Sequence, residues 1–105
     1  MAKNTWHVVT EDGAHSVVAE HGYLSRRINV YVDGQLVLKR FKLHARWENF
    51  SSQHHFNLGG HDAAFYIKSP HGFKYKYEYD LLLDGRSITT GEPVPAQPEY
   101  RRARA

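Results

Sequence analysis

The sequence predicts an all-β fold, an antiparallel β-sandwich of about seven to eight hairpin-connected strands. Three observations predict it. Apolar and polar residues alternate with period 2 along most of the chain, and no segment sustains a helical period. Aromatic residues make up 13%, a load that suits pleated strands. Turn pairs then separate the alternating runs at sandwich spacing: Asp12-Gly13, His21-Gly22, Asp33-Gly34, Gly59-Gly60, His71-Gly72 and Asp84-Gly85.

Each element follows from its own pattern. Trp6 and Val8 mark a first strand, and Val17 with Ala19 a second. "INVYVDG" turns Ile28, Val30 and Val32 inward, and "VDGQLV" reads as a two-residue hairpin. In "RFKLHARWE", Phe41, Leu43, Ala45 and Trp47 form one face, while Arg40, Lys42, His44, Arg46 and Glu48 form the other. With Phe56 and Leu58 inward, His54 shares their side and His55 and Asn57 face out. "AAFYIK" buries Ala63, Phe65 and Ile67. "FKYKYEYDLLLDG" sets Phe73, Tyr75, Tyr77, Tyr79, Leu81 and Leu83 against Lys74, Lys76, Glu78 and Asp80. Leu82 interrupts the polar row, which predicts cover on both faces there. "LDGRSI" is a second two-residue hairpin.

The chain also echoes itself. "GAHSVVAEHG…INVYVDGQLV" and "GGHDAAFYIKSPHG…YEYDLLLDGRSI" share one grammar of glycine, histidine, strand and Asp-Gly hairpin. Residues 1–91 read as one domain, since 105 residues bury a single useful core. Residues 92–105, "EPVPAQPEYRRARA", lose the alternation and read as a Pro/Arg-rich flexible tail.

Composition narrows the function classes. The absence of cysteine removes disulfides, thiol catalysis and thiolate ligands. No stretch has the length of a signal peptide core or an apolar membrane span, so a cytoplasmic protein is expected, with no membrane partner. The net charge of +3 is too small to announce nucleic-acid binding.

The candidate sites are few. "SQHHFNLGGHD" clusters three histidines around two glycines. Neighbouring strand residues diverge, so His54 and His55 cannot both hold one ion; a zinc site would need one of them, His61 and a further histidine. Gly59-Gly60 opens no helix and precedes no Lys-Ser/Thr, which excludes a P-loop. No Gly-x-Ser-x-Gly elbow is present, and most aspartates sit at turns, where they bond the backbone. The reading is therefore of no enzyme, no catalytic residue, no metal and no cofactor. The basic row Arg40, Lys42, His44 and Arg46 is the candidate partner-binding site, for other proteins or, as the alternative, for nucleic acid or another anion. A histidine-metal hydrolase is the remaining alternative. An edge strand would also permit a homodimer.

Trp6, then Asp12, Gly13 and His15, then Glu20-His21-Gly22, "VYVDG" at Val30 to Gly34, and the long run from Gly72 to Gly85 fall in a particular order. In that order they resemble the Fas apoptotic inhibitory molecule family over residues 6 to about 90. "HFNLGGHDAAFYIK" is similar to a segment of that family's second domain. The resemblance implies a cytosolic antiparallel sandwich without catalytic residues or cofactor. It implies a role in restraining apoptosis or in protecting against protein aggregation. Animal members carry two such domains where this chain shows one, and the Pro/Arg tail is this chain's own.

Overall fold

The computed structural model describes residues 2–22, 27–41, 52–68 and 77–95. Among them every regular element is a strand: β1 (Ala2–Thr10), β2 (Gly13–His21), β3 (Arg27–Val32), β4 (Gln35–Phe41), β5 (Ser52–Leu58), β6 (His61–Lys68), β7 (Glu78–Leu83) and β8 (Arg86–Ser87). They form two four-stranded antiparallel sheets, in the orders β1-β2-β3-β4 and β5-β6-β7-β8. Eight strands in two hairpin-connected sheets are consistent with the all-β sandwich class that the alternation predicts. No helix among the described residues is long and apolar enough to cross a membrane.

The chain divides into two compact units. The first comprises Met1–Leu43 and Phe56–His61, the second His44–His55 and Asp62–Ala105. In the first unit the sheet register stacks its apolar side chains in rows. Trp6 pairs with Val17 and Val17 with Val32, while Ala19 pairs with Val30 and Val30 with Leu38. Val17, Ala19, Ile28 and Val30 are fully buried, and Phe56 and Leu58 from the end of β5 add to this core. Removing each large aliphatic side chain from water stabilises the unit by about 1.5–3 kcal/mol.

In the second unit Ala63, Phe65, Ile67, Leu81 and Leu82 form the core. Leu81 and Leu82 are adjacent and both buried, so β7 is covered on both faces at that point, as the interrupted polar row predicts. Phe65 and Tyr79 stack with ring centroids 5.6 Å apart, and Tyr77 lies 6.4 Å beyond Tyr79. The alternation in β5 also falls as expected: His54, Phe56 and Leu58 are buried while His55 and Asn57 are exposed. Phe73 to Lys76, the start of the long predicted strand, lie outside the described residues.

Both Asp-Gly hairpins have the backbone their sequence requires. Asp33 and Gly34 have φ of 51° and 84°, and Asp84 and Gly85 have 52° and 83°. Two successive positive φ values make a type I′ turn, whose twist matches the flanking strands. Beyond β8 the chain is not loose at once. Ser87 donates to the Glu92 carbonyl (3.0 Å), Val94 donates to the Gly85 carbonyl (2.8 Å), and Gln53 Nε2 donates to the Pro95 carbonyl (2.9 Å). Glu92, Val94 and Pro95, in the segment expected as a tail, are therefore hydrogen-bonded within the second unit.

Candidate functional site

Two surfaces of the first unit stand out: a knot of histidines and carboxylates at the hairpin ends, and the edge strand β4. The knot begins where β1 turns into β2. His15, on β2, reaches Asp12 with Nε2 (2.7 Å) and Asp33 with Nδ1 (2.8 Å). A neutral imidazole has only one N–H, so both contacts are satisfied as donated bonds only by the doubly protonated ring. The hydrogen bonds to Asp12 and then to Asp33 accordingly raise the His15 pKa above its ordinary value. The same bonds lower both carboxylates: Asp12 is held down first by the Thr10 hydroxyl and then by His15, and Asp33 by His15 and the Ser16 N–H. Asp33 Oδ1 accepts from Ser16 N at 2.9 Å, while Asp33 N donates to Ser16 O at 2.8 Å. The His15 side chain thus ties the β1–β2 turn to the β3–β4 turn.

The double glycine of the histidine-rich stretch packs against this knot. A Cβ on Gly59 would stand 2.7 Å from Thr10 Oγ1, 2.9 Å from Asp12 Oδ1 and 3.3 Å from His15 Nε2, and Gly59 has φ +58°. Only glycine satisfies both demands. Next to it, His61 Nε2 lies 2.7 Å from Glu11 Oε1, which lowers the Glu11 pKa. In the second unit His55 Nδ1 lies 3.1 Å from Asp62 Oδ1, and His54 Nε2 lies 3.0 Å from Ser52 Oγ.

The three histidines of "SQHHFNLGGHD" therefore approach three different partners, Ser52, Asp62 and Glu11. Among the described residues no group of three or more histidine or acidic side chains is arranged to hold a metal ion. The chemistry of the knot is electrostatic clamping. The Thr10 hydroxyl donates to Asp12, not to the imidazole, so no hydroxyl–imidazole–carboxylate relay forms there. Ser52 and His54, which meet at 3.0 Å, are only 5% and 1% exposed.

The second surface is β4. Of the four exposed large hydrophobic side chains among the described residues, Leu36, Val37 and Phe41 lie on this strand, with exposures of 49%, 43% and 51%. The alternation puts Phe41 toward the core and Arg40 toward water. The structure reverses this at residues 40 and 41: Arg40 is half-buried opposite fully buried Ile28, and Phe41 is exposed opposite Arg27. The physical cause is a β-bulge. Tyr31 pairs with Leu36 and Val30 with Leu38, which leaves Val37 as an extra residue and flips the facing of everything after it. The Arg27 guanidinium then sits 5.1 Å from the centre of the Phe41 ring. Of the predicted basic row, Arg40 lies near the end of β4, while Lys42, His44 and Arg46 lie outside the described residues. The apolar character of the edge was missed by sequence reasoning. Its only signal is the unbroken run Leu36-Val37-Leu38, which a regular strand would split between two faces.

The chain is similar to known proteins. The family model for Fas apoptotic inhibitory molecule (FAIM1) matches residues 2–90. Fas apoptotic inhibitory molecule 1 of Mus musculus is 35% identical over 86 residues, which cover 79% of this chain and 44% of the relative. The Bos taurus protein of the same name is 35% identical, with 79% and 39% covered, and the Homo sapiens protein 34%, with 79% and 44%. The chain spans less than half the length of the curated relatives it matches.

Proposed function

The chain belongs to the Fas apoptotic inhibitory molecule family, and from that premise we propose that it is a non-enzymatic protein-interaction module that engages other proteins along the β4 edge. The observation that carries this reading is the concentration of exposed Leu36, Val37 and Phe41 on one edge strand. Soluble proteins usually guard such edges, because unpaired N–H and C=O groups beside apolar side chains invite another strand. The family relatives are named for inhibiting apoptosis. We read any such role here, or a protective role against aggregation, as a consequence of binding, because binding is what a small sheet module of this kind supplies.

The histidine knot has a supporting part in this proposal. By tying the β1–β2 and β3–β4 turns together it fixes the end of the hairpin from which β4 departs, so the edge is presented in one geometry. The test replaces Leu36 and Val37 together by serine and compares capture of proteins from a cell extract with that by the unaltered chain. Circular dichroism checks that the strand content is retained. Capture that falls with folding intact supports the reading. An unchanged set of captured proteins sinks it.

A further inference from the structure

The turn after β8 presents a hydroxyl whose modification would undo the contacts around it. We infer that Thr89 is a phosphorylation site selected through Arg86, and that a phosphate there releases residues 92–95 from the second sheet. Nothing in this depends on the β4 edge.

The hydrogen bonds around Asp80 carry the inference. Asp80, half-buried on β7, accepts from Leu81 N (2.8 Å), from the Ser87 hydroxyl and from the Thr89 hydroxyl (2.9 Å). Ser87 Oγ in turn accepts from Thr89 N and Thr90 N, each at 3.1 Å. Glu92 N donates to Thr90 Oγ1 at 3.1 Å, Gly91 N to Ser87 O at 2.7 Å, and Arg86 Nη1 to Gly91 O at 3.0 Å. The bonds from Ser87 N to Glu92 O and from Val94 N to Gly85 O follow directly on this turn, as does the bridge between Arg86 and Pro93. One carboxylate thus anchors the course of the chain from Ser87 to Val94.

Within this network Ser87 is buried, whereas Thr89 and Thr90 are exposed. Of the serines and threonines in the sequence, Thr89 alone has a lysine or arginine three residues before it, and that residue, Arg86, is exposed too. A large class of protein kinases selects its targets by a cation at this spacing, which it pairs with carboxylates of its own. Such a kinase transfers the γ-phosphoryl group of a nucleoside triphosphate. The bond from Thr89 Oγ1 to phosphorus forms, the bond to the leaving nucleoside diphosphate breaks, and the hydroxyl proton passes to the kinase's base. The phosphate carries about −1.5 to −2 charges at neutral pH. It removes the proton that Thr89 donates to Asp80 and sets a second anion beside the carboxylate, so an attraction at 2.9 Å becomes a repulsion. Arg86 is the cation nearest in sequence, and to pair with the phosphate it must leave the Gly91 carbonyl. The turn then loses both its anchor and its cross-tie. Ser87 N and Gly85 O lose their partners Glu92 and Val94, and a covered sheet edge becomes an open one.

The test treats the full chain with magnesium ATP and a purified protein kinase that requires arginine three residues before its target. Mass spectrometry maps the phosphate, and hydrogen exchange follows the amides of Ser87 and Val94, with Val17 of the first unit as reference. The expected result is one phosphate, on Thr89, added about tenfold more slowly to Arg86→Gln. Protection at Ser87 and Val94 should fall on phosphorylation while that at Val17 holds. Thr89→Val loses the hydrogen bond without gaining charge, so it should lose less protection than the phosphorylated chain. In Asp80→Asn the phosphate meets no carboxylate, so phosphorylation should change the protection of that variant little. Raised salt gives the same answer without a substitution, since screening should restore part of the lost protection. No phosphate, or phosphate on Thr90 or elsewhere with Thr89 unmodified, overturns the site. Equal rates for Arg86→Gln overturn the selection through Arg86. Unchanged protection in the phosphorylated chain, or an equal fall in Asp80→Asn and at high salt, overturns the release through Asp80.

Discussion

One methyl group at residue 59 tests how tightly the histidine knot is packed. Gly59→Ala meets Thr10 and Asp12 at distances real Cβ atoms do not tolerate and His15 at a tight one, and it adopts a left-handed backbone as well. The expected loss is about 1–3 kcal/mol. Gly60→Ala has φ +85° but open space around its Cβ, so it should lose only about 1 kcal/mol, from the backbone alone. Urea denaturation of both variants checks the ranking, and an equal loss would mean that the knot yields. His15 gives the pH counterpart. Its folded pKa is raised, so its contribution is complete below about pH 6.5 and is lost as pH rises through the folded value. The carboxylates of Asp12 and Asp33 are lowered, so their contribution is present above about pH 4 and is lost as pH falls through the folded values. The knot is therefore strongest between these limits. His15→Gln should destabilise most near pH 5.5, and its difference from the unaltered chain should shrink as the solution becomes alkaline. A difference that does not vary with pH would show that His15 acts by packing alone.

Among the elements, the two Asp-Gly hairpins repeat one device. Asp84 N donates to Asp62 O at 2.7 Å and Asp62 N donates to Asp84 Oδ1 at 3.2 Å, the same reciprocal pair that Asp33 makes with Ser16. The echo legible in the sequence is thus structural: β2-β3-β4 and β6-β7-β8 are built on matching turns. Asp33 also takes up His15. Asp33→Ala should therefore destabilise more at pH 5.5 than at alkaline pH, where the histidine's contribution is gone, measured again by denaturation. Turns and buried faces were readable because each depends on residues close in sequence. The bulge was not, since whether Val37 pairs or loops out depends on a register with β3 that pairs Leu38 with Val30. That single extra residue is why Arg40 and Phe41 exchanged the faces the alternation predicts for them. The hold on residues 92–95 escaped notice for the same reason. Prolines suppress alternation in the sequence, yet the carbonyl of Glu92 and the N–H of Val94 remain able to pair. Val94→Pro removes that donor and should lower stability by about 1 kcal/mol, whereas Val94→Ala should stay closer to the unaltered chain.

For the molecule as a whole, strand β5 is the element that both compact units require. Its first four residues, Ser52 to His55, belong to one unit, and Phe56 to Leu58 belong to the other. Unravelling of one half of this continuous strand is expected to reach the other half. Damage to either core should therefore be felt in one common transition. Ile28→Val thins the first unit's core and should lower stability by about 0.5–1.5 kcal/mol; Leu81→Ala opens a cavity in the second and should lower it by about 2–5 kcal/mol. Tryptophan fluorescence of Trp6, read in a Trp47→Phe background because the chain has two tryptophans, reports on the first unit, and near-ultraviolet circular dichroism, to which the Tyr77–Tyr79 stack contributes, reports chiefly on the second. If β5 couples the units, both signals move together in both variants, with one midpoint per variant. Separate midpoints, with Leu81→Ala shifting only the tyrosine signal, would mean that β5 breaks near residues 55 and 56 and that the units fold independently. In that case the first unit alone, with its knot and its β4 edge, would be the binding module.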